Sequence, residues 1–143
     1  MLKVNQMQIV SGSWAELAQD AKAIREAVFI QEQHIAPEDE WDELDALSDH
    51  FVVYLNDQAV ATARLLENGS IGRVAVLESA RGLNIGQRLM QFVIDDARKQ
   101  GRQSVKLSSQ VHAIGFYQAL GFETQGDAYL DCGIPHIEMY LLL

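Results

Sequence analysis

Residues 72–100 constrain this chain more than any other stretch. Gly72-Arg73-Val74-Ala75-Val76 reads as a strand, and Arg81-Gly82-Leu83-Asn84-Ile85-Gly86 follows it as a glycine-bearing turn. From Ile85 to about Gln100, the positions Ile85, Leu89, Phe92, Val93 and Ala97 recur at helical spacing until Gly101 stops the helix. A strand, a glycine turn and a helix in that order leave backbone N–H groups pointing outward at the positive end of the helix dipole. Such an arrangement holds phosphate. Arg81 adds a full positive charge, and Gly82 and Gly86 let a ligand approach the backbone closely.

Three nucleotide motifs compete for this turn. A Walker A loop needs Gly-Lys-Ser/Thr, and the chain has Gly86-Gln87-Arg88. The dinucleotide fingerprint needs another glycine spacing inside a βαβ unit, whereas the strands before this turn read as antiparallel. The coenzyme A pattern Gln/Arg-x-x-Gly-x-Gly/Ala is matched at Arg81 and Gly86. On these six residues alone, a plain loop with a glycine N-cap stays open as well.

The rest of the chain supplies a sheet around this unit. Residues 2–10 read as an opening strand, broken by Ser11-Gly12. Ser13-Trp14-Ala15-Glu16 has the capping-box pattern, and Leu17, Ala21, Ile24 and Val28 give one apolar face to a helix over 14–31. The acidic segment from Glu38 to Asp45 reads as loop with a short helical turn. It is either a solvated face or a lure for a cationic ligand, and Trp41 within it is either an anchor or a lid. Strands over 50–55, 59–66 and 70–76 form an antiparallel meander with turns at Asn56-Asp57-Gln58 and Glu67-Asn68-Gly69. A strand over 104–109 and a short helix over 112–120 follow. Two strands over 125–132 and 137–143, separated by Gly133-Ile134-Pro135, complete a mixed α/β layout.

Composition narrows the function classes. At 143 residues, 48% hydrophobic and 22% charged, the chain suits one domain with a sizeable core. A formal net charge of −9 repels phosphate backbones and argues against a nucleic-acid partner, while favouring a cationic small molecule or basic peptide. No apolar run approaches membrane-spanning length, and the first six residues lack the apolar core of a signal peptide. The single cysteine, Cys132, excludes an internal disulfide and fits a reducing, cytoplasmic compartment; it reads as a small buried strand residue rather than a nucleophile. His34, His50, His112 and His136 are too scattered to propose a metal site.

From about His50 to Phe122 the chain resembles the GNAT superfamily of N-acetyltransferases. Gly72 to Val76 looks like that family's central strand ahead of its Arg-Gly-x-Gly-Ile-Gly turn. Gln110 to Phe122, which includes His112, Phe116, Tyr117 and Gly121, resembles its Asn-x-x-Ala-x-x-Leu-Tyr-x-x-x-Gly-Phe block. The flanks, including Glu32-Gln33 and Gly133-Ile134-Pro135-His136-Ile137-Glu138-Met139, look similar to a small bacterial branch. Asn84 departs from the family glycine, but asparagine tolerates the left-handed conformation. Gln110 stands where the family often has asparagine.

The resemblance implies a mixed, mostly antiparallel sheet of about six or seven strands with about four helices. It also implies acetyl-CoA as co-substrate. Backbone groups of Val74, Ala75 and Val76 would run along the pantetheine arm, on a strand often bulged away from its neighbour. The Val76 amide would face the thioester carbonyl. Gly82, Leu83, Asn84, Ile85 and Gly86, with Arg81 and Gln87, would hold the pyrophosphate, and Gln110 would contact the cofactor. Tyr117 would protonate the leaving thiolate; read from the residues alone it is equally an aromatic packed with Phe116 and Phe122. Glu32, Glu138, His112 or a water chain would serve as base. The implied reaction is acetyl transfer to a primary amine of a small molecule or peptide; the rival is a CoA-binding or regulatory module without turnover. The apolar end Tyr140-Leu141-Leu142-Leu143 allows a strand shared in a homodimer.

Overall fold

The computed structural model describes residues 6–143, so residues 2–5 of the expected first strand lie outside the described part. The strands are β1 (Met7–Gly12), β2 (Asp49–Leu55), β3 (Gln58–Leu65), β4 (Ser70–Val76), β5 (Ser104–Gln110), β6 (Glu123–Asp131) and β7 (Ile134–Leu142). The helices are α1 (Trp14–Arg25), the single turn α2 (Pro37–Glu40), α3 (Ile85–Lys99) and α4 (Ile114–Ala119). The sheet order is β1-β2-β3-β4-β5-β7-β6. Every pair is antiparallel except β4 with β5. This is the expected element order and sheet character.

The two faces of the sheet carry different helices. Alternation in β2 sends Phe51, Val53 and Leu55 to the face covered by α3, where Leu89, Met90, Val93 and Ile94 are buried with them. Val52 points the other way and packs with Ala75 against Leu17, Ala21, Ile24 and Val28 of the first helix. Each large apolar side chain buried this way contributes roughly 1.5–3 kcal/mol. The capping box forms as the sequence predicts: Ser13 N–H donates to Glu16 Oε1 at 2.9 Å, and Glu16 N–H donates to Ser13 Oγ at 3.3 Å.

The expected single helix over 14–31 changes character part-way. After Arg25 the chain winds as a π-helix over Glu26–Glu32. Gln33 N–H bonds Val28 O, five residues back. The wider turn keeps both Val28 and Phe29 in the core and brings Glu32 and Gln33 to the cleft described below. The last hairpin also differs. Its turn is Cys132-Gly133, both at positive φ, and Pro135 lies inside β7. Cys132 is therefore exposed at a turn rather than buried in a strand. β7 is paired with β5 from His136 to Leu142 and with β6 as far as Tyr140, so Leu141 and Leu142 are paired with β5 alone; β1 and β6 are the sheet edges. No helix among the described residues is long and apolar enough to cross a membrane.

Candidate active site

The site begins where two neighbouring strands part. β4 and β5 are paired only at Ser70 with Lys106 and Ile71 with Leu107. Past Ile71 a bulge interrupts β4: Thr62 pairs with Ala75 but Arg64 pairs with Gly72, leaving one extra residue in β4. Arg73 takes it up at φ +51°, a left-handed conformation that is costly for a side chain of its size. A slot opens between the strands. Leu77 N–H donates to Val60 O at 2.8 Å, so the antiparallel alternation turns the Val76 N–H and C=O away from β3 and into this slot. By the same alternation, Ala75 turns its N–H and C=O toward β3, though the residue still lines the cleft beside Val74 and Val76.

An ion cluster holds the bulge. Glu40, Asp42 and Asp45, all from the acidic segment, meet Arg25, Arg64 and Arg73. Arg25 Nε reaches Glu40 at 2.7 Å and its Nη1 reaches Asp45 at 2.8 Å. Arg64 Nη1 lies 2.7 Å from Asp42 and 2.9 Å from Asp45. Arg73 Nη2 donates to the Glu40 carbonyl at 2.9 Å and lies 3.3 Å from the Asp42 carboxylate. Arg25, Glu40, Asp45 and Arg64 are buried. These bonds offset the strain of a non-glycine residue at a left-handed bulge position. The hydrogen bonds from Arg64 hold the Asp42 carboxyl below the usual carboxylate range. Two of the readings of the acidic segment are thereby corrected: Glu40 and Asp45 are neither a solvated face nor free to attract a cation. Trp41 is an anchor, its ring 5.0 Å from the Arg25 guanidinium.

At the far end of the slot the glycine turn meets α3. Asn84 is the N-cap at φ +61°, so it takes the left-handed conformation expected of it, and its side chain caps nothing. The first intrahelical bond runs from Arg88 N–H to Asn84 O. The amides of Ile85, Gly86 and Gln87 thus have no partner in the helix and face outward at its positive end. Ile85 and Leu83 send their side chains to the core, which leaves their backbone alone to serve a ligand. Arg81 does not stand free. It makes a bidentate pair with Glu32, both bonds 2.7 Å, and its Nε donates to Val76 O at 3.1 Å. Arg88, exposed in the first turn of α3, makes no ion pair among the described residues; in sequence it is one arginine on a helix, with no motif to mark it.

A Cβ placed on Gly86 would sit 3.5 Å from Phe116 and 3.6 Å from Val76. The gap takes a methyl group but nothing longer without filling the approach to the open amides. Gly86→Glu is therefore expected to weaken CoA binding by at least about a hundredfold, through bulk and like charge, while the fold persists. Titration calorimetry with CoA, beside a circular-dichroism melt, reads both quantities.

The slot widens into a cleft of about 630 Å³ that passes between β4 and β5. Tyr117 lines it from the α3 face, packed edge-on to Phe116 and Phe122 at 5.0 and 6.0 Å between ring centroids. Its ring packs against the core, and its hydroxyl makes no hydrogen bond among the described residues. Desolvation pushes the phenol up to about 12. Gln110 lines the cleft too, its Nε2 donating to Gln33 Oε1 at 3.0 Å across the gap. His112, His136, Asp39, Asp131 and Cys132 also face it.

Two of the base candidates change standing. The Arg81 hydrogen bonds lower the Glu32 carboxyl below its usual range, so it is a poor proton acceptor. Glu138 is exposed and accepts a hydrogen bond from the Tyr129 hydroxyl at 2.8 Å. The Cys132 thiol is pushed up by desolvation and by Asp131, the opposite of an activated nucleophile.

The sequence model of the acetyltransferase (GNAT) domain matches residues 16–143. The chain belongs to the GNAT acetyltransferase family. It is 34% identical over 137 residues to the uncharacterised N-acetyltransferase YjcF of Bacillus subtilis (strain 168), covering 93% of this chain and 98% of that protein. Its fold superposes on Escherichia coli ElaA with a TM-score of 0.84 at 31% identity, over 94% of this chain and 99% of the other. An acyl-CoA N-acyltransferase from Pseudomonas aeruginosa gives a TM-score of 0.85 at 30% identity, again over 94% and 99%. The GNAT fold generally binds acetyl-CoA or acyl-CoA and serves acyl transfer.

Proposed function

We propose that this GNAT protein transfers an acetyl group from acetyl-CoA to a primary amine by direct attack. The observation that carries the reading is the convergence on one slot of the inward Val76 amide, the Tyr117 hydroxyl, unpartnered among the described residues, and the open amides of Ile85 to Gln87. The pantetheine arm would add to the β4 edge through Val74 and Val76 as an extra strand. The pyrophosphate would take the amides of the α3 N-terminus, with Gly82 and Gly86 allowing close approach and Arg88 and Gln87 beside it. Arg81, paired with Glu32, would brace the turn and leave the phosphates to the backbone.

In the reaction the amine nitrogen bonds to the thioester carbonyl carbon and the C–S bond breaks. The Val76 N–H would stabilise the charge on the carbonyl oxygen, and Tyr117 would hand its proton to the departing sulfur. The acceptor would be a small-molecule or peptide amine. The carboxylates of Asp39 and Asp131 at the cleft favour one that is cationic.

Incubating the protein with acetyl-CoA and a broad panel of primary amines, while following free thiol, tests the reading. Amine-dependent thiol release is the expected result. CoA binding without thiol release on any amine would instead support a binding module. Longer acyl-CoA thioesters in the same assay would show whether the acyl group is acetyl.

A further inference from the structure

We propose that His136 is the general base that takes the proton from the acceptor amine; this rests on the acyl-transfer reading of the cleft. His136 is half-buried on β7 opposite Gln110 of β5 and Tyr129 of β6. Leu107 and Met139, paired across the same two strands, point into the core on the α3 face. Ser108, Gln110 and His136 alternate with them and so project from the opposite face. The cleft runs through the sheet between β4 and β5, and both Tyr117 and His136 line it. The two groups therefore address it from opposite faces: Tyr117 from the side of α3 and the thioester, His136 from the side of Gln33 and α2. Two separate groups, one within reach of the sulfur and one within reach of the amine, can then serve as acid and base without competing for the same proton.

The hydrogen bonding prepares the imidazole for this task. Nδ1 lies 2.7 Å from the Ile134 carbonyl oxygen. A carbonyl only accepts, so Nδ1 carries the hydrogen, and the neutral ring keeps its lone pair on Nε2. Nε2 has no hydrogen-bond partner among the described residues. Tyr129 stacks on the ring at 6.2 Å between centroids and 26° between planes. Tyr129 is itself held by hydrogen bonds with Ser108 and Glu138. The ring is thus fixed in orientation and in tautomer. The charged groups sharing the cleft serve less well. Glu32 is held by Arg81 and Arg73 by Glu40 and Asp42, while Asp39 and Asp131 are exposed.

His136→Ala and His136→Gln, assayed by thiol release from acetyl-CoA, test the assignment with two probes. Benzylamine is protonated at neutral pH and needs a base; aniline is already neutral. We expect about a hundredfold loss of turnover with benzylamine, partial restoration of His136→Ala by added imidazole, and a severalfold loss at most with aniline. CoA affinity should be unchanged. Equal losses on both amines, or no loss on either, would overturn the assignment. A second measurement needs no turnover: ¹⁵N NMR of the histidine rings should show His136 protonated at Nδ1 and bare at Nε2. An Nε2–H tautomer overturns the proposal whatever the assay gives. Wild-type protein that releases no thiol with any amine would count against the acyl-transfer reading, while the NMR result still judges the imidazole.

Discussion

Tyr117→Phe should lower turnover by roughly a hundredfold or more while leaving CoA affinity within about threefold, since a positioned acid is ordinarily worth 10²–10⁴ in rate. Only the hydroxyl is removed. The ring keeps its edge-on contacts with Phe116 and Phe122, so the melting temperature should hold. Desolvation raises the phenol to about 12, which keeps it protonated and able to donate throughout the neutral and mildly alkaline range. It follows that the wild-type pH–rate profile should show no alkaline limb from this group below about pH 11. Steady-state rates on the best amine of the panel, together with CoA titrations, would decide the matter. An unchanged kcat would mean that another group, or water, protonates the sulfur.

Asp45→Ala is expected to act on stability instead. Asp45 bridges Arg25 and Arg64, and all three are buried. Removing one member of a buried ion network leaves charges that cannot be resolvated, at a cost of roughly 3–5 kcal/mol. A domain of ordinary stability has about 5–15 kcal/mol in total, so the variant should unfold at a much lower urea concentration. Glu38→Ala, an exposed change in the same acidic segment, should move stability by less than about 0.5 kcal/mol. Similar midpoints for the two variants would show that the cluster is not what holds the segment down. The network also reaches the site, because Arg73 at the bulge is tied to Glu40 and Asp42. Partial loosening of the slot, seen as weaker CoA binding in the folded fraction of Asp45→Ala, is the expected companion effect.

Features written within a few residues of each other were legible beforehand. The capping box at Ser13 and Glu16, the left-handed Asn84 and the turn at Asn56-Asp57 each depend on local backbone chemistry. The meander of β2, β3 and β4 and the apolar face of α3 follow from periods of two and about 3.6 residues. The site was legible to the extent that a family motif lies in contiguous residues, as it does at Arg81 to Gly86 and around Tyr117. His136 is not legible in this way, because four histidines scattered in sequence carry no pattern.

What escaped was long-range. Arg81 and Glu32 are 49 residues apart, Arg64 and Asp42 are 22 apart, and Gln110 and Gln33 are 77 apart. No periodicity reports such pairs, because the chain between them can close in many ways and only the packed sheet selects one. The π-helical turns, the β7 position between β5 and β6, and the exposure of Cys132 belong to the same class. The sequence by itself determined the elements, their order and the left-handed glycine turn ahead of α3, since hydrogen-bonding and side-chain spacing within a few residues suffice for these. The tertiary structure alone decided that the acidic segment is a buried clamp, that Arg81 is occupied, and that Tyr117 and His136 face one cleft from opposite sides of the sheet. Burial and distance across the fold set each of these, and neither is a local property of the chain.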